Sequence, residues 1–169
     1  MAKKRLPRRN FNKLDLAYAA GFFDGEGSVL IDRGKQTKNP YCGFRLEVKI
    51  SSTSEEIIKC FKETFGAGTI EVRKKYTSGG KDYWSWIVAG NRAAEFLELI
   101  YPYLKVKSED AEIGILFQDS VDRYSSSNQI PAPEIEYRKK LIWKLRNLPH
   151  RRKAKQYKYL WLGSISTKK

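Results

Sequence analysis

Tyr18-Ala-Ala-Gly-Phe-Phe-Asp-Gly-Glu-Gly-Ser28 is the stretch on which the reading of this 169-residue chain turns. Leu14 to Phe23 reads as a short apolar helix entered after Asn12, and the two glycines of Asp24-Gly25-Glu26-Gly27 are expected to end it in a turn. Ala17, Ala20 and Gly21 stand at three- and four-residue spacing in that helix, so they share a face along which a second helix can approach closely. Two carboxylates, Asp24 and Glu26, follow at the helix end. A calcium loop beginning at Asp24 is excluded, because its twelfth position is Lys35 where a bidentate glutamate is required.

Outward from this stretch the pattern alternates between strand and helix periods. Ser28 to Asp32 reads as a strand, and Tyr41 to Ile50 sets Cys42, Phe44, Leu46, Val48 and Ile50 against Gly43, Arg45, Glu47 and Lys49. Thr53 and Glu56 have capping-box spacing ahead of an amphipathic helix over 54–65, closed by Gly66. Thr69 to Tyr76 and Tyr83 to Ala89 read as a hairpin around Thr77-Ser-Gly-Gly-Lys81. Residues 91–101, 108–123 and 134–147 return to helical spacing. The resulting α-β-β-α-β-β-α order, followed by further helices, predicts an α+β fold: one four-stranded, antiparallel, curved sheet with its helices on one face. The uncovered face would carry Arg45, Glu47, Lys49, Glu71, Arg73 and Lys75. Long charged side chains at period two suit a DNA major groove, and they equally suit a solvated sheet with cross-strand ion pairs. Of Trp84 and Trp86 against Tyr83, Ser85 and Ile87, one set faces the core, and parity alone does not say which. Cys42 and Cys60 are expected to be buried thiols.

Composition narrows the chemistry. There are 33 Lys and Arg against 19 Asp and Glu, a net charge of +14. Residues 1–13 hold six basic side chains and no acid, and residues 134–169 hold twelve basic and two acidic, while 14–133 hold fifteen basic and seventeen acidic. Charge concentrated at both ends of a near-neutral body fits arms that hold a polyanion, DNA or RNA before a membrane surface. The expected organisation is one domain over 1–169, with a basic arm (1–13) and a basic helical extension from about residue 134 to 169. No apolar run approaches the roughly 20 residues of a membrane span, and the basic start leads into no signal peptide, so an intracellular setting, in cytoplasm, nucleoid or organelle, is expected. Two cysteines and the single His150 exclude disulfide frameworks, histidine triads and most transition-metal sites, so any catalysis must use carboxylates.

The small-residue helix, the Gly21-Phe22-Phe23 run, the Asp-Gly-Glu-Gly segment and the serine entering a strand together resemble the signature of the LAGLIDADG homing endonucleases, in the form of their single-motif members. The resemblance extends over roughly residues 12–122 and includes the element order. It implies a homodimer paired through the motif helix at Ala17, Ala20 and Gly21, since one motif supplies one acid and cutting both strands needs two sites. It implies that Glu26, with the Gly25 carbonyl, binds Mg²⁺, or Mn²⁺ in its place, and that double-stranded DNA is hydrolysed at a long pseudo-palindromic target. Lys107, in Leu104-Lys105-Val106-Lys107, matches the family's basic pocket and would stabilise charge in the transition state. A second pocket position falls on Ser51 or Ser52. Glu26 stands where many members carry Asp and still ligates. Asp24 is expected to bond backbone amides near the helix end.

Two alternatives carry different consequences. Some LAGLIDADG proteins are maturases that bind intron RNA and help it splice, often without the nuclease acid, and retention of Glu26 argues against that role alone. Asp32 with Glu47-Val-Lys49 also resembles the weak D…E-x-K pattern of restriction-type nucleases, which implies a different fold.

Overall fold

The computed structural model describes residues 5–7, 10–33, 44–74, 80–124 and 129–151. The chain forms two compact units, 1–130 and 131–169. The first contains α1 (Lys13–Glu26), β1 (Gly27–Arg33), β2 (Phe44–Ser52), α2 (Glu55–Phe65), β3 (Thr69–Arg73), β4 (Tyr83–Ala89), α3 (Asn91–Ile100), a 3₁₀ turn at Tyr101–Tyr103 and α4 (Ser108–Arg123). The second contains α5 (Ala132–Arg146), where helical spacing is expected over 134–147.

The four strands form one antiparallel sheet in the order β1-β2-β4-β3, as the alternation predicts. Val29, Ile31, Leu46, Val48, Ile50, Trp86 and Val88 are buried on the helix-covered face. The parity of β4 is thereby fixed: Trp86 is 0% exposed, whereas Tyr83, 43% exposed, lies on the opposite side. Trp86 is the centre of an aromatic cluster, 5.0 Å from Phe96 and 5.7 Å from Phe61, and Phe65 stands edge-on to Phe96 at 4.8 Å. Rings in edge and offset contact bury large apolar areas, and truncating one to Ala costs about 3–5 kcal/mol. The indole N–H donates to the Ala67 carbonyl at 2.8 Å, which satisfies its one polar atom. Gly68 lies beside it at φ +88°, where a Cβ would stand 2.5 Å from Nε1, so position 68 admits no side chain.

Three local expectations are corrected. The helix does not stop at Phe23. It runs through Asp24, Gly25 and Glu26 into β1 without a turn, because Gly25 adopts helical rather than left-handed geometry and the strand's hydrogen bonding begins at Gly27. Gly27 serves close packing there: a Cβ would stand 2.1 Å from the Phe23 ring. At α2 the N-cap residue is Ser54, without a side-chain cap, and the Ser54 N–H donates instead to Ser52 Oγ at 3.1 Å. Cys60 is exposed, since the apolar stripe of α2 points Ile58, Phe61 and Phe65 inward and turns position 60 away. Cys42 lies outside the described residues.

Candidate active site and nucleic-acid interface

The end of α1 is an unusual helix terminus. Carbonyls left unpaired in a last turn carry partial negative charge and favour cations, yet this turn contains Asp24 and Glu26 and no basic residue. The missing cation comes from far along the chain. Lys107 Nζ donates to the carbonyls of Asp24 at 2.7 Å and Phe23 at 3.0 Å, reaches that of Gly25 at 3.5 Å, and stands 5.8 Å from the centroid of the Phe23 ring. Asp24 in turn accepts from the backbone N–H groups of Lys105 at 2.7 Å and Lys107 at 2.9 Å. It does bond amides, but those of the segment before α4 rather than those of its own helix. Lys107 occupies the N-cap position of α4, with Ser108 already helical, so the Asp24 carboxylate sits at the favourable end of that helix.

Glu26 is exposed at this terminus, next to the Gly25 carbonyl. These are hard oxygen donors, the type that suits Mg²⁺. Among the described residues no group of three or more His, Cys, Asp or Glu side chains could hold a metal.

The uncovered sheet face forms a second surface. Strand register puts Asp32 opposite Arg45, Leu30 opposite Glu47, and Ser28 opposite Lys49. Across β4 and β3 the rows continue through Ile87 and Thr69, Ser85 and Glu71, and Tyr83 and Arg73. Arg45, Glu47, Lys49, Glu71 and Arg73 thus share this face, while Lys75 lies outside the described residues. Asp32, Leu30, Ser51, Tyr83, Ser85 and Ile87 join them, a set that parity reveals only once the strand pairing is known. Ser51 Oγ lies 2.8 Å from Ser85 Oγ on this face, whereas Ser52, opposite Trp84, points to the helix side. Of the two serines the sequence leaves open, both half-buried, strand parity puts Ser51 alone on this face.

Of the three residues expected on a dimer-pairing face, Ala20 is not available to a second helix. Ala20 is 0% exposed and packs inward, whereas Ala17 and Gly21 are exposed in line with Leu14, which is 75% exposed, and with Gly25. The outward stripe runs 14, 17, 21, 25, a spacing of three and four residues that excludes position 20. The amino-terminal arm is also partly committed elsewhere: Arg5 pairs with Glu95 of α3 at 3.3 Å, Arg92 Nε donates to the Arg5 carbonyl at 3.1 Å, and the Leu6 N–H donates to Glu95. Arg5 is therefore tied to the helical layer. Lys3, Lys4, Arg8 and Arg9 lie outside the described residues.

Residues 13–101 match the model of the LAGLIDADG-like domain. The chain belongs to the LAGLIDADG family. Solved structures share its fold: the homing endonuclease I-CvuI in complex with the I-CreI target, at 19% identity and TM-score 0.55, over 76% of this chain and 95% of that one; an archaeal intron-encoded homing endonuclease complexed with DNA, at 19% identity and TM-score 0.62, over 78% and 82%; and the group I intron-encoded homing endonuclease I-CeuI complexed with DNA, at 14% identity and TM-score 0.58, over 83% and 70%. No curated protein matches the chain by sequence. A LAGLIDADG fold overturns the restriction-type reading of Asp32, Glu47 and Lys49, which lie instead on the open face of the sheet. No helix among the described residues is long and apolar enough to cross a membrane.

Proposed function

We propose that this LAGLIDADG protein is a homodimeric, divalent-metal-dependent endonuclease that cuts both strands of DNA at a long pseudo-palindromic site. The observation that carries the reading is Glu26: an exposed carboxylate at the end of α1, with the Gly25 carbonyl beside it and the Lys107 ammonium on the same helix terminus. Glu26 and the Gly25 carbonyl, from each of two copies, would hold Mg²⁺ or Mn²⁺. Such an ion supplies Lewis-acid stabilisation of charge on the phosphate and a lowered pKa for an attacking water. Lys107 contributes a fixed positive charge where negative charge develops on the scissile group. Ser51, half-buried on the open face of the sheet and bonded to Ser85, would orient water.

The two-fold arrangement is supported by the glycines of α1. Gly within a helix costs about 1 kcal/mol relative to Ala. At Gly21 and Gly25 a Cβ would meet nothing within 4 Å, so no contact among the described residues of one chain requires either glycine. Close approach of a second α1 along the Leu14, Ala17, Gly21, Gly25 stripe would require both. The open face of the sheet would then lie in the major groove on each side of the axis. Its described charges balance, with Arg45, Lys49 and Arg73 against Asp32, Glu47 and Glu71, which suits reading of base edges, while phosphate attraction falls to the basic termini.

The test uses the gene's own surroundings. The flanking sequences, joined as if the coding element were absent, form a duplex that the protein is expected to cut once on each strand with Mg²⁺ and not with EDTA. Wild-type cleavage by Glu26→Gln would sink the assignment, as would a sedimenting monomer that still cuts both strands.

A further inference from the structure

We infer that Asp24 is a positioning residue, whose carboxylate fixes the segment 105–107 so that the Lys107 ammonium is held against the carbonyls of the α1 terminus. The catalytic consequence rests on the endonuclease reading above; the clasp itself stands on geometry. Lys105 and Val106 are exposed, Val106 at 58%, so between buried Leu104 and the start of α4 the segment has little apolar anchoring. Asp24 supplies what packing does not. Its two oxygens take two alternate amides, those of Lys105 and Lys107, with a charged acceptor in both bonds.

These contacts close a ring. The Asp24 side chain holds the Lys107 backbone, and the Lys107 side chain returns to the carbonyl of Asp24 itself and to its neighbours on either side. A lysine side chain has about 2 kcal/mol of rotamer entropy to lose on being fixed. Anchoring its backbone at the same residue that receives its ammonium limits the positions from which the ammonium can reach the helix end. Opening the ring at Asp24 frees the backbone, and the ammonium then samples positions displaced from the Gly25 carbonyl. A displacement of about 1 Å in a catalytic group can cost about 100-fold in rate.

Asp24→Asn retains one acceptor oxygen and so can bond only one of the two amides. Cleavage by this variant, measured at saturating duplex with Mg²⁺, is expected to fall about 100-fold, with binding in EDTA changed less than about threefold. Lys107→Ala is expected to lose a similar factor, and the double variant no more than Lys107→Ala alone, since both changes remove one arrangement. Losses that multiply would overturn the inference. An independent measurement is amide hydrogen exchange on the full chain: Lys105 and Lys107 should exchange at least about tenfold faster in Asp24→Asn, while the interior amides of α1 and α4 stay as in wild type. Unchanged protection at both lysines would overturn it whatever the cleavage result. If wild-type protein cuts no duplex but exchange changes as expected, the endonuclease reading falls and the clasp stands.

Discussion

The groove between α3 and α4 and the end of α1 both gather acids, and they differ in what stands beside them. Glu95, Glu98, Asp119 and Asp122 line a groove of about 460 Å³ between α3 and α4, with Arg5 and Arg123 at its walls. There Glu98 is pushed above its ordinary value of 4.5 by partial burial, then by Asp119 and Glu95, with Arg5 opposing. Asn91 donates to Asp122 at 2.5 Å and Gln118 to Asp122 at 3.0 Å, and Glu95 accepts from Arg5 and from the Leu6 N–H. At the end of α1, by contrast, Asp24 receives two backbone amides, the carbonyls receive a lysine from the start of α4, and Glu26 faces outward. Density of carboxylates does not distinguish the two. What distinguishes the α1 terminus is the Lys107 ammonium, which lies on the last carbonyls of the helix beside the exposed Glu26.

The largest difference between the two places is expected at Glu26. Glu26→Gln should lose at least about 100-fold in Mg²⁺-dependent cleavage with duplex binding retained, whereas Glu98→Gln should cut at the wild-type rate. Equal losses in a side-by-side digestion would mean that the groove, not the helix end, is the reacting centre.

Next in size is the support beneath the terminus. Gly27→Ala forces a methyl into the Phe23 ring and should destabilise by about 1–3 kcal/mol in urea unfolding, because the ring is already in edge contact with Phe96 at 5.8 Å. A neutral result would show that Phe23 can move without cost.

Gly21→Ala should have opposite signs in two measurements. Its methyl enters open space in the monomer, so helix propensity should stabilise the isolated chain by about 1 kcal/mol, while sedimentation should show weaker self-association. Stabilisation without loss of association would remove the seam from position 21.

The smallest effect is expected at Glu98. A carboxyl with a raised folded pKa binds its proton more tightly folded than unfolded, so stability falls as pH rises from 4.5 through the raised folded value. Glu98→Gln should therefore be slightly stabilising at neutral pH, and that gain should vanish below pH 4.5. A denaturation series in pH that shows a constant difference would assign the effect to packing instead.

Much of this was legible from residue order. The alternation 44–50, the amphipathic helix over 54–65 and the capped, Gly-bounded segments specify an α+β chain, since burying one face of each element is a local periodicity written in the side chains. The motif 18–28 likewise specifies the family, and with it Glu26 and Lys107 as the residues to examine. Other features depend on partners remote in sequence. Asp24 reads as a carboxylate near a helix end, and nothing local indicates that it bonds the amides of residues 105 and 107. Ala20 and Gly21 look equivalent in a list of small residues, and only the direction of α1 against the sheet buries one and exposes the other. Ser51 and Ser52 differ by one residue, and pairing with β4 sends them to opposite faces. Periodicity determines which residues share a face; tertiary packing decides which face is covered and which distant atoms meet, because those depend on chain crossings that no local pattern encodes.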